Sequence, residues 1–338
     1  VDCLRALHEL GAAESLSAKD NNGATPAHTA ALKGHADCLR ALHELGAVGS
    51  LSATGNTGRA PMHLAAMKGH VDCLRALHEL GAAESVSAKD NYGFTPAHAA
   101  ALNGHADCLR ALHELGAVGS LSAKNNYRMT PAHAAADSGH ADCLRALHEL
   151  GAAESLSAKD NDGQTPAHTA AVKGHVDCLR ALHELGAAGS LSAKENDGQA
   201  PAHTAALNGH ADCLRVLHEL GAARSLSATD NDGFTPAHSA AENGHANCLR
   251  ALHELLSKTL DPQLAFLRTI DAVAVPEVIR ELQAKRSLSW SPNADQPSPA
   301  ELAAVECFQR AGQLECFLFL AEIGGATPFW EWVAANPE

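Results

Sequence analysis

The chain has 338 residues, 25 Lys+Arg against 39 Asp+Glu, and a formal net charge of −14. Nucleic acids and anionic lipid surfaces call for a basic face, so neither is expected as the main ligand; a protein partner with a basic surface suits the charge better. The densest apolar run, 317–321, falls far short of the roughly 18 residues a membrane helix needs, so no membrane insertion is expected.

From the N-terminus the chain copies itself every 35 residues. Val1 opens in the middle of a copy, so the sequence reads as a fragment in which any upstream targeting signal is out of sight. Thr-Pro-Ala-His begins at Thr25, Thr95, Thr130, Thr165 and Thr235, with Ala-Pro variants at Ala60 and Ala200. The Gly-His-(Ala/Val)-Asp-Cys-Leu-Arg-Ala-Leu-His-Glu-Leu-Gly-Ala stretch follows in register, as at Gly34–Ala47 and Gly174–Ala187. A fixed period of this length means one supersecondary unit stacked on itself.

Within 165–199 the elements read in order. Thr165 suits an N-cap and Pro166 the first helical position. A short Ala-rich helix runs to Gly174. A second helix follows from about Val176 to Leu185, with Leu179, Leu182 and Leu185 at helical spacing and Gly186 as C-cap. Ser190–Ser192 then leads into Asn196-Asp197-Gly198, a tight-turn signature.

This pattern resembles the ankyrin repeat: Asp160–His175 reproduces D-x-x-G-x-T-P-L-H-x-A-A-x-x-G-H except for Ala167. The resemblance covers residues 1–256 as half a repeat, six full repeats and the helical half of a seventh. It implies an all-α solenoid of stacked helix-turn-helix units with β-hairpin-like fingers and a concave binding face. Two departures matter. The period is 35, with two extra residues placed between the second helix and the finger, and the usual Leu is Ala in six units and Met62 in one. A thin layer between close first helices follows.

Residues 257–338 hold all three Trp and five of seven Phe. Ser287-Leu288-Ser289, Ser298–Ala304 and Gly312–Phe317 echo the repeat register, with Cys316 in the cysteine slot. Two diverged repeats, with helices at 262–270, 276–284 and 299–311, and a closing helix from Pro328 are expected there. Terminal repeats diverge because one face has no neighbour.

Eight of the ten cysteines (Cys3 through Cys248) recur in one helical slot. Stacked helices lie about 8–10 Å apart, beyond the roughly 7 Å between Cα atoms that a disulfide spans. Buried thiols in a reducing intracellular compartment are expected. All 22 histidines fall into three columns, beginning at His8, His28 and His35. None makes a His-x-x-x-His pair, and Cys38 and His43 sit on different helix faces, so no metal or cofactor is expected. In the family the Thr-Pro-x-His imidazole braces the next finger. Asp37, Arg40 and Glu44 read as exposed i,i+3 and i,i+4 pairs. No nucleophile elbow, phosphate loop or isolated acid pair is present, so no enzyme is expected.

The columns that vary between copies carry the functional signal. They lie at the finger tips, in the first helix after His, and after Gly-Ala. Arg59, Tyr92, Phe94, Tyr127, Arg128 and Met129 cluster in three consecutive fingers, with Phe234 in the last. Aromatic, Arg and Met side chains dominate interface hot spots, and the family resemblance places partner selection in these slots. Trp330 and Trp332 form a second candidate surface. Arg128 replaces a turn glycine, so a distorted finger is expected. The expected function is a non-catalytic scaffold for a protein partner; the alternative is a structural subunit bracing a large assembly.

Overall fold

A computed structural model describes residues 1–256. The diverged repeats and aromatic end expected at 257–338, including Trp330 and Trp332, lie outside the described residues. The described residues form two compact bodies: Val1–Ala170 with Arg180–Ser190, and Ala171–Leu179 with 191–256.

A lone second helix, α1 (Asp2–Glu9), opens the chain. Helix pairs follow in chain order: α2 (Pro26–Lys33) and α3 (Ala36–Glu44), α4 (Pro61–Met67) and α5 (Val71–Glu79), α6 (Pro96–Leu102) and α7 (Ala106–Glu114), α8 (Pro131–Asp137) and α9 (Ala141–Glu149). Next come α10 (Pro166–Lys173) and α11 (Val176–Glu184), α12 (Pro201–Leu207) and α13 (Ala211–Glu219), α14 (Pro236–Glu242) and α15 (Ala246–Leu256). The described residues contain no strand. In the first body α2, α4, α6 and α8 stack in one row and α3, α5, α7 and α9 in another; in the second, α12 packs on α14 and α13 on α15.

Small side chains explain the first row. Ala27, Met62, Ala97 and Ala132 are fully buried, as are the alanines three and four positions further on in α4, α6 and α8. With little between them, the first helices approach each other more closely than the second helices do. The second row is built on Leu, with Leu74, Leu77, Leu109, Leu112, Leu144 and Leu147 sealed beside a column of thiols. A fully buried Leu contributes roughly 1.5–3 kcal/mol, so this row supplies most of the apolar driving force.

Six of the eight cysteines in the column are buried, and all eight are free thiols. Cys3 is exposed and Cys38 half-buried. Burial pushes the thiols of Cys108, Cys143 and Cys213 up to about 12 and that of Cys73 to about 11. Such thiols stay protonated and unreactive.

Two details differ from the sequence-based expectation. The stretch after each second helix is not plain loop but a 3-10 turn, as at Ala13–Leu16, Val48–Leu51 and Val118–Leu121. It lies where the two extra residues were placed, and it buries one Leu or Val per repeat, such as Leu51 and Leu121. The charge pairs also differ. Arg40 meets Asp37 at 3.3 Å, but its glutamate partner is Glu79 of the next helix at 4.0 Å, and Glu44 pairs with Arg5. Arg75–Glu114 (3.0 Å) and Arg110–Glu149 (3.2 Å) repeat this crossing link. Helical side chains lean toward the N-terminus, which turns Arg40 toward Asp37 and away from Glu44. These pairs are exposed, so each contributes only a few tenths of a kcal/mol.

The Thr-Pro-x-His corner is the recurring joint. In α6 the His98 Nδ1 accepts the Thr95 backbone N–H at 3.2 Å, which leaves the proton on Nε2; that nitrogen donates to the Met129 carbonyl at 3.0 Å. His28, His63, His133 and His203 make the same reach, each to the carbonyl 31 residues on. The threonine hydroxyl does more than cap. Thr25 and Thr130 donate to the carbonyls of Ser50 and Ser155 at 3.2 Å, tying each first helix to its own 3-10 turn.

Ala60 and Ala200 lack that hydroxyl, yet both keep the backbone bond to Nδ1, at 3.2 and 3.1 Å. In Ala200→Thr the new hydroxyl reaches the Ser225 carbonyl in the register of Thr25 and Ser50. The substitution should add about 1 kcal/mol and raise the melting midpoint by about 2–4 °C; thermal unfolding followed by circular dichroism checks this.

Acid should undo the joints. Burial holds the imidazoles of His28, His63, His133 and His203 below the ordinary histidine value of 6.5, and takes those of His98 and His238 to about 4. The unfolded chain binds these protons near pH 6.5, whereas the folded chain resists them down toward pH 4. The stability they contribute is complete above about pH 6.5 and is lost as pH falls through that window. Calorimetry at pH 5 should show net proton uptake on unfolding, about two protons from His98 and His238 alone; a melting midpoint that is flat from neutral pH to about pH 4.5 would exclude the joint as an acid-labile element.

Candidate interaction surface

Five of the fingers are tight turns, each held by one acidic or amide side chain. The Asp90 Oδ1 accepts the N–H groups of Tyr92 and Phe94, both at 2.9 Å, while the Gly93 N–H closes onto the Asp90 carbonyl. Asp20, Asn125, Asp160 and Asp230 do the same. Asx side chains favour this geometry because they imitate a backbone turn.

Neighbouring fingers are joined by an asparagine column that sequence reasoning overlooked. Asn91 donates its backbone N–H to the Thr57 carbonyl at 3.0 Å and its Nδ2 to the Asn56 carbonyl at 2.9 Å. Asn56, Asn126 and Asn161 repeat the pattern in the first body, and Asn231 in the second. The signal was present, since Asn recurs without exception every 35 residues from Asn21 to Asn231.

With the backbone held this way, the tips differ only in side chains. Tyr92 and Tyr127 stand at the same register of adjacent fingers and are 53% and 52% exposed. Arg59, Phe94 and Met129 lie one step inward and are half-buried. The Arg59 Nε donates to the Asp90 Oδ2 at 3.2 Å, so this guanidinium is anchored across to the next finger. Phe94 packs edge-on against His98, with centroids 5.3 Å apart, and so splits its surface between joint and solvent. The first body thus brings together all six residues expected at 59–129. Phe234, 46% exposed, packs on His238 in the second body.

Family models for ankyrin repeats match residues 45–123, 117–193 and 185–263, and a further one matches 7–65. The chain belongs to the ankyrin-repeat family. Among solved structures it is similar to the ankyrin repeat domain of human ASB11, at 28% identity and a TM-score of 0.58, covering 68% of this chain and 97% of that one. It is also similar to the ankyrin repeat domain of Bcl-3, described as a unique member of the IkappaB protein family, at 28% identity and a TM-score of 0.54, covering 65% of this chain and 95% of that one. No curated protein matches the chain. Ankyrin repeats generally mediate protein–protein interaction, and their structures are typically non-catalytic.

Away from the fingers, this ankyrin array offers little chemistry. An open depression of about 500 Å³ lies by the start of α7 and α9, lined by His105, Cys108 and five charged residues. Its charges are already matched, Arg110 to Asp107 and Glu149, and Arg145 to Asp142. Among the described residues no group of three or more His, Cys, Asp or Glu is arranged to hold a metal ion.

Arg128 behaves differently from the expectation. Its finger is not distorted; the Arg128 N–H still closes onto the Asn125 carbonyl at 2.9 Å and the Asn125 N–H onto Met129 at 3.0 Å. The arginine itself takes φ 60°, making it the one non-glycine with positive φ among the described residues. A Cβ built at Gly93 would lie 2.6 Å from the Asn126 Oδ1, so the register that Arg128 occupies offers a side chain little room. The Asn161–Asn126 link is 3.3 Å, against 2.9–3.1 Å for the links made by Asn56, Asn91, Asn126 and Asn231. Ladder and Asx turn together outweigh a local penalty of roughly 1–2 kcal/mol. Arg128→Gly should therefore stabilise the protein by about 1 kcal/mol, measured by chemical denaturation; a loss of stability would mean that the arginine side chain has a structural role.

Proposed function

We propose that this chain is a non-catalytic scaffold that captures a protein partner on the finger tips of 59–129, with Phe234 and, beyond the described residues, Trp330 and Trp332 as further contacts. The observation that carries the reading is the pair of half-exposed tyrosines, Tyr92 and Tyr127, set side by side on adjacent fingers. Neither side chain serves the fold: the turn and the ladder use only their backbone groups. Large aromatic area held out on a rigid frame is what an interface hot spot requires, because little conformational entropy is lost on binding.

The test separates binding from stability. Tyr92→Ala with Tyr127→Ala should leave the melting midpoint within about 1–2 °C of wild type. Proteins co-purified by the wild-type chain should be lost from the double variant, with a loss of about tenfold or more in affinity for the one recovered. Retained capture by the variant sinks this surface.

A further inference from the structure

We infer that the finger face of 59–129 takes an acidic linear segment of its partner, one that alternates carboxylates with aliphatic or aromatic side chains. The inference rests on the reading of that face as the partner surface and goes on to name the partner's chemistry.

Charge is the first argument. Although the chain is strongly acidic overall, the fingers and first helices of 53–68, 88–103 and 123–138 carry five cations (Arg59, Lys68, Lys89, Lys124 and Arg128) and two anions, Asp90 and Asp137. Asp90 has no exposed side-chain surface and is paired with Arg59, so these two cancel and four cations remain against Asp137. The corresponding segments 158–173, 193–208 and 228–243 reverse the sign, with three cations against seven anions. An acidic segment is thus drawn to the first set and finds no such attraction in the second. The acids behind the net charge of this body lie mostly elsewhere, on the second helices, where Asp107, Glu114, Asp142 and Glu149 are paired with arginines.

The second argument is an unmet donor. Asn125 is 5% exposed, and its Oδ1 accepts both the Tyr127 and Met129 N–H groups, which fixes the orientation of the amide. Its Nδ2 then has no partner. In the same register one finger earlier, Asp90 meets the Arg59 guanidinium; here the preceding finger supplies Phe94, which carries no acceptor. A buried N–H without an acceptor costs about 1–3 kcal/mol. Phe94 is itself half-buried, and an acceptor oxygen from a bound segment that reaches the buried Nδ2 would relieve the donor. The face therefore presents cations (Arg59, Lys68 and Arg128) interleaved with Tyr92, Tyr127, Phe94 and Met129, with the unmet Asn125 amide buried beneath. The complement of that pattern is an acidic chain with apolar side chains between the carboxylates.

A random 12-residue peptide library displayed on phage, selected on the full chain, tests this without knowledge of the partner. Selected peptides should be net negative with interspersed aliphatic or aromatic residues, and should bind more weakly as salt is raised. Lys68→Glu combined with Arg128→Gly should weaken them by about tenfold or more. Arg128→Gly is expected to raise stability, so weaker binding would not come from unfolding. Neutral or basic selected peptides, no selected peptide, or affinity unchanged by the double variant would each overturn the inference. If cellular proteins are lost with Tyr92→Ala/Tyr127→Ala but kept by Lys68→Glu/Arg128→Gly, the surface stands and the acidic partner falls.

Discussion

The structure depends on one hydrogen-bonded imidazole used repeatedly. A neutral histidine holds the N-terminal backbone of its own first helix through Nδ1 and the carbonyl of the following finger through Nε2. Both contacts are made to backbone, so the joint places no demand on the neighbouring side chains. It does demand the neutral imidazole, because a proton on Nδ1 would face an N–H donor. Burial enforces that state, and with it the dependence of the array on pH.

This division between backbone and side chain explains where variation is tolerated. The carbonyls of Arg59, Phe94, Met129, Gln164 and Phe234 receive an imidazole, yet their side chains range from cationic through amide and thioether to aromatic. The carbonyls of Asn22, Thr57, Tyr92 and Tyr127 receive an asparagine N–H and are just as diverse in side chain. A finger can therefore exchange threonine for tyrosine without loosening the ladder, whereas arginine for phenylalanine keeps the imidazole link but gives up the side-chain tie that Arg59 makes to Asp90. Such freedom is what lets a repeated frame carry a non-repeated surface.

Much of the frame was legible because its signals are local or periodic. Thr-Pro, Gly-His and the Leu spacing mark helix ends and faces whatever the surroundings. Relations between copies were harder to see. Arg40 was matched to Glu44 on its own helix, while the partner one helix away, Glu79, lies 39 residues on and no single-helix rule points to it. The asparagine column was visible as an invariant but not as a ladder, because its acceptors are backbone carbonyls and leave no trace in sequence. The 3-10 turn was hidden by its short length and by a Ser-Leu-Ser composition that suits a loop equally well. Of the surface, the side chains at 59–129 could be named in advance, but the burial of Asp90 under Arg59 and the stranded amide of Asn125 required coordinates.

Arg128 shows how the two levels meet. A turn that six other fingers build with glycine is built here with arginine in a left-handed conformation, and the Asx side chain and the ladder hold it there. Local strain of this kind persists where the surroundings over-determine the backbone. The strained residue lies one position from Tyr127, in the same finger as the unmet donor of Asn125. It also adds a cation to the part of the finger face where positive charge is concentrated. Two departures from the consensus of the array, each unfavourable to folding, thus fall within four consecutive residues on the side that the fold leaves free. The proposed donor-bearing binding surface would account for both the unmet amide and the strained arginine beside it.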